Sequence, residues 1–163
     1  FLPAFVIRAA RAEYVASNAA ARILFGDFRK FAGNGNQLVS LFTHASARNS
    51  LPDWEETARR QLAMFRAAFA CNVHDADMRR LVAELSAKSA DFRKLWELYD
   101  LPTRGARKLE YLHADGKIYQ FQQVIFFADL DGQYRVEVFH PNDERTRDWM
   151  EGLVTQDSEA AAH

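Results

Sequence analysis

The apolar side chains of this chain change their spacing after Gly105, and that change limits what the chain can fold into. Between Trp54 and Tyr99 they recur every three or four residues, which is the spacing of amphipathic helices. Between Lys108 and His140 they recur at every second residue, which is the spacing of β-strands. Helices followed by strands, without alternation of the two, predict an α+β fold rather than a parallel α/β sheet.

A hairpin and a short helix are predicted at the beginning of the chain. Phe5–Ile7 and Tyr14–Ala16 have the apolar and β-branched composition of two short strands. Ser17 or Asn18 is placed to cap a helix over Ala19–Phe25, because a side-chain oxygen there can accept a hydrogen bond from the first helical turn.

Three longer helices follow a brief apolar turn at Leu38–Phe42. Asp53 is predicted to open the first of them and to form a capping box with Glu56. Asp75 and Ser89 are predicted to cap the second and third.

The second half of the chain predicts a three-stranded meander. Lys108–His113, Lys117–Ala128 and Gln133–His140 are separated by Asp-Gly pairs, which favour hairpin turns. With the first hairpin this makes five antiparallel strands with helices on one face, the PAS-like or GAF-like arrangement. Such folds generally hold small molecules between the sheet and the helices.

The alternation within the last two strands predicts how the sheet faces its surroundings. Valines of the last strand, such as Val136 and Val138, point to one face, while Arg135 and Glu137 point to the other, as in a sheet with one wet side. Val124–Phe127 of the middle strand is apolar on both faces. We therefore expect a terminal helix or a second subunit to cover it, and we predict a homodimer.

Composition and charge narrow the function. The chain has 21 Lys and Arg against 22 Asp and Glu, so it lacks the basic excess that nucleic-acid binding requires. Its apolar stretches fall far short of the ~20 residues that span a bilayer, and its single cysteine, Cys71, fits a reducing cytoplasm. These features predict a cytoplasmic protein with no membrane partner.

The chain length predicts a single domain over residues 1–155, followed by a disordered tail over residues 156–163. Because the chain begins at Phe1 and not at Met, we expect that it is part of a longer protein.

No nucleotide, zinc, hydrolase or calcium-loop motif is present in the sequence. His74 and His113 have carboxylates nearby, but those carboxylates occupy helix-cap and turn positions, so we expect no metal site. Cys71 lies among alanines, and we expect a small packed side chain rather than a nucleophile. No catalytic residue is predicted.

The 21 aromatic rings favour a wide apolar pocket as well as a dense core. A stripe of rings on the predicted helices is by default core, and the alternative is that large rings border a cavity. Arg8, Arg93 and Arg107 are candidate anchors for an acidic headgroup. The residues predicted to bind a ligand are Trp54, Phe65, Phe69, Phe92, Arg93, Trp96, Tyr111 and Phe121.

Several short stretches closely resemble the MmyB-like family of helix-turn-helix transcription regulators over roughly residues 3–141. They are Pro3-Ala4-Phe5-Val6, Ser17-Asn18, Gly26-Asp27, Leu51-Pro52-Asp53-Trp54-Glu55-Glu56, Leu81-Val82-Ala83-Glu84-Leu85-Ser86 and Ser89-Ala90-Asp91-Phe92-Arg93-Lys94-Leu95-Trp96. The sequence departs from the family pattern at Leu109–Leu112 and after Pro141.

The resemblance falls on the C-terminal ligand-binding domain of that family. It implies a PAS-like domain that follows an N-terminal helix-turn-helix domain and accepts a fatty-acid-like molecule. DNA contact would belong to that other domain alone.

We therefore interpret the chain as the effector-binding part of a transcription regulator, without catalysis and without a cofactor other than a bound fatty acid. Two alternatives stay open from the residues. One is a small α+β enzyme that uses His113 or His140 with a carboxylate as an acid–base pair. The other is a plain dimerisation module with a filled core.

Overall fold

The computed structural model describes residues 2–30, 35–98, 107–128 and 132–160. Its strands are β1 (Ala4–Arg8), β2 (Glu13–Ser17), β3 (Arg107–Leu112), β4 (Ile118–Phe127) and β5 (Tyr134–Pro141). The helices in these ranges are α1 (Ala19–Phe25), α2 (Gln37–Thr43), α3 (Ala45–Asn49), α4 (Trp54–Cys71), α5 (Ala76–Lys88), α6 (Ala90–Glu97) and α7 (Glu144–Ala160). Short 3₁₀ turns lie at Ala9–Arg11 and Phe28–Lys30.

The five strands form one antiparallel sheet in the order β2-β1-β5-β4-β3. The first hairpin and the meander are joined because β1 pairs with β5, with Phe5 opposite Glu137. The predicted α+β class and the PAS-like arrangement are confirmed.

Side-chain caps explain where several helices begin. The Asp75 carboxylate accepts hydrogen bonds from the first turn of α5, and the Ser89 hydroxyl accepts one from Phe92 N, so both predicted caps are confirmed. Asn36 Oδ1 accepts hydrogen bonds from the amides of residues 38 and 39. Because of this cap, the segment predicted as a brief turn forms the helix α2.

The predicted capping box at the start of α4 is absent. Asp53 precedes the helix, but its side chain makes no capping hydrogen bond. Glu56 instead pairs with Arg60 one turn later, at 2.7 Å between Oε1 and Nη1. The i,i+4 ion pair therefore occupies the carboxylate that the capping box would use.

The predicted facing of β5 is wrong. Arg135 and Glu137 are buried on the helix side of the sheet, where they share a face with Phe139, while Val136 and Val138 are half-buried on the other face. The alternation of apolar and charged residues along a strand shows that its two faces differ, but it does not show which face lies inside. The charges can lie inside because they pair with each other and with amides from the helices.

The two larger of the three apolar clusters in the described ranges lie among the helices and on the sheet. One lies among α2, α4, α5 and α6 and includes Phe65 and Phe92. The other lies on the inner face of the sheet and includes Phe5, Phe121 and Phe139. The cavity described below lies where the sheet meets α2–α4, beside both clusters.

The C-terminal helix α7 packs on the end of the sheet. The Trp149 ring stacks on Tyr119 with 3.8 Å between ring centroids. The helix continues to Ala160 and so overlaps the first residues of the predicted tail, while residues 161–163 lie outside the described ranges. In the described ranges, no helix is long and apolar enough to cross a bilayer.

The end of β4 is more exposed than predicted. Phe126 is 55% and Phe127 66% exposed, so none of the described helices covers them.

Candidate functional site

A cavity of about 450 Å³ lies between the inner face of the sheet and the helices α2, α3 and α4. This volume is in the range of small-molecule sites. One wall is apolar and mainly aromatic, and it is formed by Phe5, Phe25, Leu109, Tyr111 and Phe139. The rings support one another, with Phe25 and Tyr111 edge-to-face at 5.1 Å between centroids. An alkyl chain or a ring system can pack on this wall.

A second part of the lining is polar and buried, and on the sheet it adjoins the aromatic wall, because Glu137 pairs with Phe5 and Gln123 with Phe139. This polar wall is formed by Gln37, Thr57, Gln61, Gln123 and Glu137, all of which are less than a tenth exposed. The helices contribute three of these residues and the sheet contributes two. The cavity is therefore amphipathic rather than purely apolar.

A buried ion pair organises the polar wall. Arg135 Nε donates to Glu137 Oε1 at 2.8 Å, and both side chains are almost fully buried. Arg135 Nη2 also donates to the amide oxygens of Gln37 at 2.7 Å and of Gln61 at 3.2 Å. The positive charge thus has three acceptors, which a buried guanidinium requires.

The carboxylate of the pair has donors on both oxygens. Glu137 Oε2 accepts from Gln123 Nε2 at 2.9 Å and from Gln37 Nε2 at 3.2 Å. The bond between Gln37 and Glu137 joins residues that are 100 positions apart in the sequence. It therefore holds α2 against the sheet.

Tyr14 borders the same network. Burial raises the pKa of the Tyr14 phenol far above its ordinary value, and the nearby Glu137 carboxylate raises it further. The phenol is therefore neutral at any physiological pH, and it lines the cavity as a hydrogen-bonding group without charge.

The exposed part of the lining, which forms the mouth of the cavity, carries one lysine. Lys30, His44 and Ser46 line the cavity although they are exposed, whereas the residues of the two walls are mostly buried. The mouth therefore attracts an anion, while the inner polar wall carries a carboxylate.

The structure brings only part of the predicted ligand-binding set to this cavity. Tyr111 lines it, and Phe121 does not line it but contacts Phe25 of the aromatic wall, at 5.5 Å between ring centroids. Trp54, Phe65, Phe69, Phe92 and Trp96 lie in the helical cluster instead.

Ring contacts account for that placement. The Phe92 ring stacks on the Trp96 ring with 5.6 Å between their centroids, and the centroid of the Phe65 ring lies 6.0 Å from that of Trp96. Trp54 Nε1 donates to the Leu41 carbonyl at 2.9 Å. The rings pack on one another, so they do not border this cavity as predicted. Whether they bind a ligand stays a prediction.

None of the predicted arginine anchors lines the cavity. Arg93 is exposed on α6 and donates to the Ser86 carbonyl. Arg8 pairs with Glu13 at 2.9 Å on the first hairpin. Arg107 donates to Met64 Sδ at 3.7 Å, and burial and the nearby Arg60 charge lower its pKa.

The histidines that the alternative enzyme would use, His113 and His140, lie outside the cavity. His113 Nδ1 is 3.3 Å from Asp115 Oδ1, and the ring packs against Trp149. His140 is exposed, and its Nδ1 lies 2.9 Å from the Pro141 carbonyl oxygen. Within the described ranges no three metal-ligating side chains cluster. Cys71 is exposed at the end of α4, so the prediction that it is packed is wrong.

Sequence reasoning missed the polar wall, although two signals for it exist. Gln123 continues the inward alternation of Tyr119 and Phe121 along β4. Gln61 lies between Ala58 and Leu62 on the apolar stripe of α4. A glutamine at an inward position of an apolar pattern indicates a buried polar group with partners.

A family model described as "MmyB-like transcription regulator ligand binding domain" matches residues 2–153. No curated protein matches the chain.

Proposed function

Because the chain belongs to the family of MmyB-like transcription regulator ligand-binding domains, we propose that it senses a fatty-acid-like molecule in the cavity between the sheet and α2–α4. The observation that carries this proposal is the charge layout of the cavity. The cavity combines a mainly aromatic wall with an exposed lysine, which matches an apolar chain with an anionic end.

The two parts of such a ligand have different roles. Each methylene that leaves water contributes about 0.8 kcal/mol, so the chain on the aromatic wall provides most of the affinity. The carboxylate provides orientation, because it is stabilised beside Lys30 at the mouth. Of the predicted binding residues, Tyr111 is the one that this proposal retains on the cavity wall.

The proposed mechanism is a shift of population without chemistry on the ligand. A ligand that favours one arrangement of the regulator changes how its DNA-reading domains are spaced. In this proposal residues 1–155 form the sensing domain of a cytoplasmic homodimer, and a helix-turn-helix domain outside these residues contacts DNA.

Occlusion of the mouth tests the proposal. Ala47 lines the cavity on α3, and Ala47→Trp places a large ring there. We expect dodecanoic acid to raise the melting temperature of the wild type and to leave that of Ala47→Trp unchanged. Ala67→Trp, on the exposed face of α4, is the matched control and should respond as the wild type does.

A wild type whose melting temperature does not respond to any fatty acid would favour the plain dimerisation module instead. An equal response of Ala47→Trp and Ala67→Trp would contradict the proposed site, since binding would then lie outside this cavity.

The lysine at the mouth is tested separately. Lys30→Gln should weaken the binding of dodecanoic acid by about threefold to tenfold, because one charge-assisted contact is lost. Lys94→Gln on the exposed side of α6 should have no effect. Equal affinities of the two variants would place the carboxylate elsewhere.

A further inference from the structure

The buried ion pair fixes the orientation of two amides on the polar wall. Gln61 Oε1 accepts from Arg135 Nη2. Because a guanidinium only donates, the amide oxygen must face it, and Gln61 Nε2 points away from it. Gln123 Nε2 donates to Glu137 Oε2. Because a carboxylate only accepts, the acceptor Gln123 Oε1 points away from the pair.

These two outward atoms have no hydrogen-bond partner in the described ranges. Their residues are only 9% and 6% exposed. Some polar atoms of the described ranges are fully buried and lack a hydrogen-bond partner, but these two atoms do not belong to that group. Each of them therefore keeps some accessible surface. Since both residues line the cavity, the space that these atoms reach is the cavity itself.

We propose that this wall binds a neutral group at the inner end of the ligand that both donates and accepts a hydrogen bond, such as a hydroxyl or a primary amide. Gln61 Nε2 donates to the oxygen of that group, and Gln123 Oε1 accepts its hydrogen. The two amides bind the two side chains of one ion pair, Gln61 at Arg135 Nη2 and Gln123 at Glu137 Oε2, and both residues line the same cavity.

The chemistry of the wall argues against two other kinds of inner end. A second anion would lie close to the Glu137 carboxylate, which is buried and therefore poorly screened. A methyl end would exclude water from two amide atoms and give them no partner in return. The inference rests on the proposed function, because it assigns the inner end of the same ligand.

Matched ligands provide the test. The affinities of octanoic, dodecanoic and hexadecanoic acid are measured by calorimetry and compared with those of their ω-hydroxy derivatives, so that one chain length places the hydroxyl at the wall. At the best-fitting length we expect the ω-hydroxy acid to bind about fivefold more tightly than its parent. A parent acid that binds as tightly or more tightly at every length would overturn the inference.

Variants then assign the effect to the two amides. Gln61→Leu and Gln123→Leu should each reduce the preference for the hydroxyl to about twofold or less. Gln122→Leu is the matched control, since Gln122 is the neighbour on β4 that faces away from the cavity. An unchanged preference in both folded variants would contradict the assignment, and the wild-type comparison decides even if a variant does not fold.

The outcomes separate this inference from the proposed function. Binding of fatty acids without a preference for the hydroxyl overturns the inference and leaves the proposed function intact. Absence of binding by every acid in both series overturns both.

Discussion

Arg135 and Glu137 place two opposite charges in the interior, where an uncompensated charge costs several kcal/mol. Such a pair need not stabilise a fold relative to apolar residues of the same size. Its value here is positional, because it orients glutamines that come from α2, α4 and β4. The pair is therefore part of the site as well as part of the core.

Removal of one charge should cost more than removal of both. Glu137→Leu leaves the guanidinium of Arg135 buried without its counter-ion, and we expect a loss of about 3–5 kcal/mol in the free energy of unfolding. The double variant Arg135→Met/Glu137→Leu should lose less, although the glutamines then lack partners. Urea denaturation measures both variants, and a double variant that is less stable than Glu137→Leu would contradict this prediction.

An exposed ion pair provides the comparison for that experiment. Glu55 pairs with Arg59 at 2.7 Å on the outside of α4. Glu55→Gln should leave the unfolding curve almost unchanged, because exposed pairs are screened by solvent.

Tyr119 makes the stability of the fold depend on pH in the alkaline range. Burial, followed by the hydrogen bond to Asp115, raises the pKa of the Tyr119 phenol from 10.0 to about 12. The fold thus favours the neutral phenol. This contribution to stability is complete below pH 10.0 and is lost as the pH rises through about 12.

Tyr119→Phe should remove this part of the alkaline loss while the ring keeps its stack on Trp149. The free energy of unfolding, followed by denaturation from neutral to strongly alkaline pH, should fall less steeply in the variant than in the wild type. Parallel curves would show that the titration of Tyr119 does not contribute.

At the scale of elements, the helices and strands could largely be predicted from the sequence, but the inner face of β5 could not. The valines of β5 indicate the core when the strand is considered alone. The partners that allow Arg135 and Glu137 to lie inside are Gln37 and Gln61, which are 98 and 74 residues from Arg135. No local pattern contains that information.

The sequence predicts that a cavity exists between the helices and the sheet, but it does not predict most of the residues that line it. The element order indicates a cavity between helices and sheet, and Tyr111 follows from its place on β3. The predicted rings of α4 and α6 do not line the cavity, because helical spacing predicts a shared face but not its neighbour. In the structure that face packs on another helix, with Phe65 and Phe69 against Trp96.

Two ring deletions should separate the helical cluster from the cavity. Phe65 is 1% exposed, and Phe65→Ala should reduce the free energy of unfolding by about 3–5 kcal/mol with little effect on ligand affinity. Tyr111 is half-buried on the cavity wall, so Tyr111→Ala should reduce the affinity for dodecanoic acid more than it reduces stability. Calorimetry and urea denaturation give the two quantities, and an unchanged affinity in Tyr111→Ala would count against the aromatic wall.

At the scale of the whole molecule, the sheet joins the two ends of the described chain. β1 lies between β2 and β5, so the first and last strands depend on each other. The cavity takes its walls from both halves, with Phe5 from β1 and Phe139 from β5. Ligand binding should therefore stabilise the fold as a unit.

The exposed end of β4 is the part of the surface that a second copy of the chain is expected to cover. Phe126 and Phe127 are adjacent rings on opposite faces of the strand, and they have the largest exposed fractions among the large apolar residues of the described ranges. Exposed rings next to each other are unusual on a monomer and typical of an interface.

The double variant Phe126→Ser/Phe127→Ser should therefore shift the chain from dimer to monomer in sedimentation equilibrium. Val73→Ser is the control, because Val73 is 47% exposed beyond the end of α4, far along the chain from this strand. The double variant should keep its affinity for dodecanoic acid, since neither ring lines the cavity. A wild type that sediments as a monomer at high concentration would contradict the homodimer, and a dimer that survives in the double variant would move the interface to another surface.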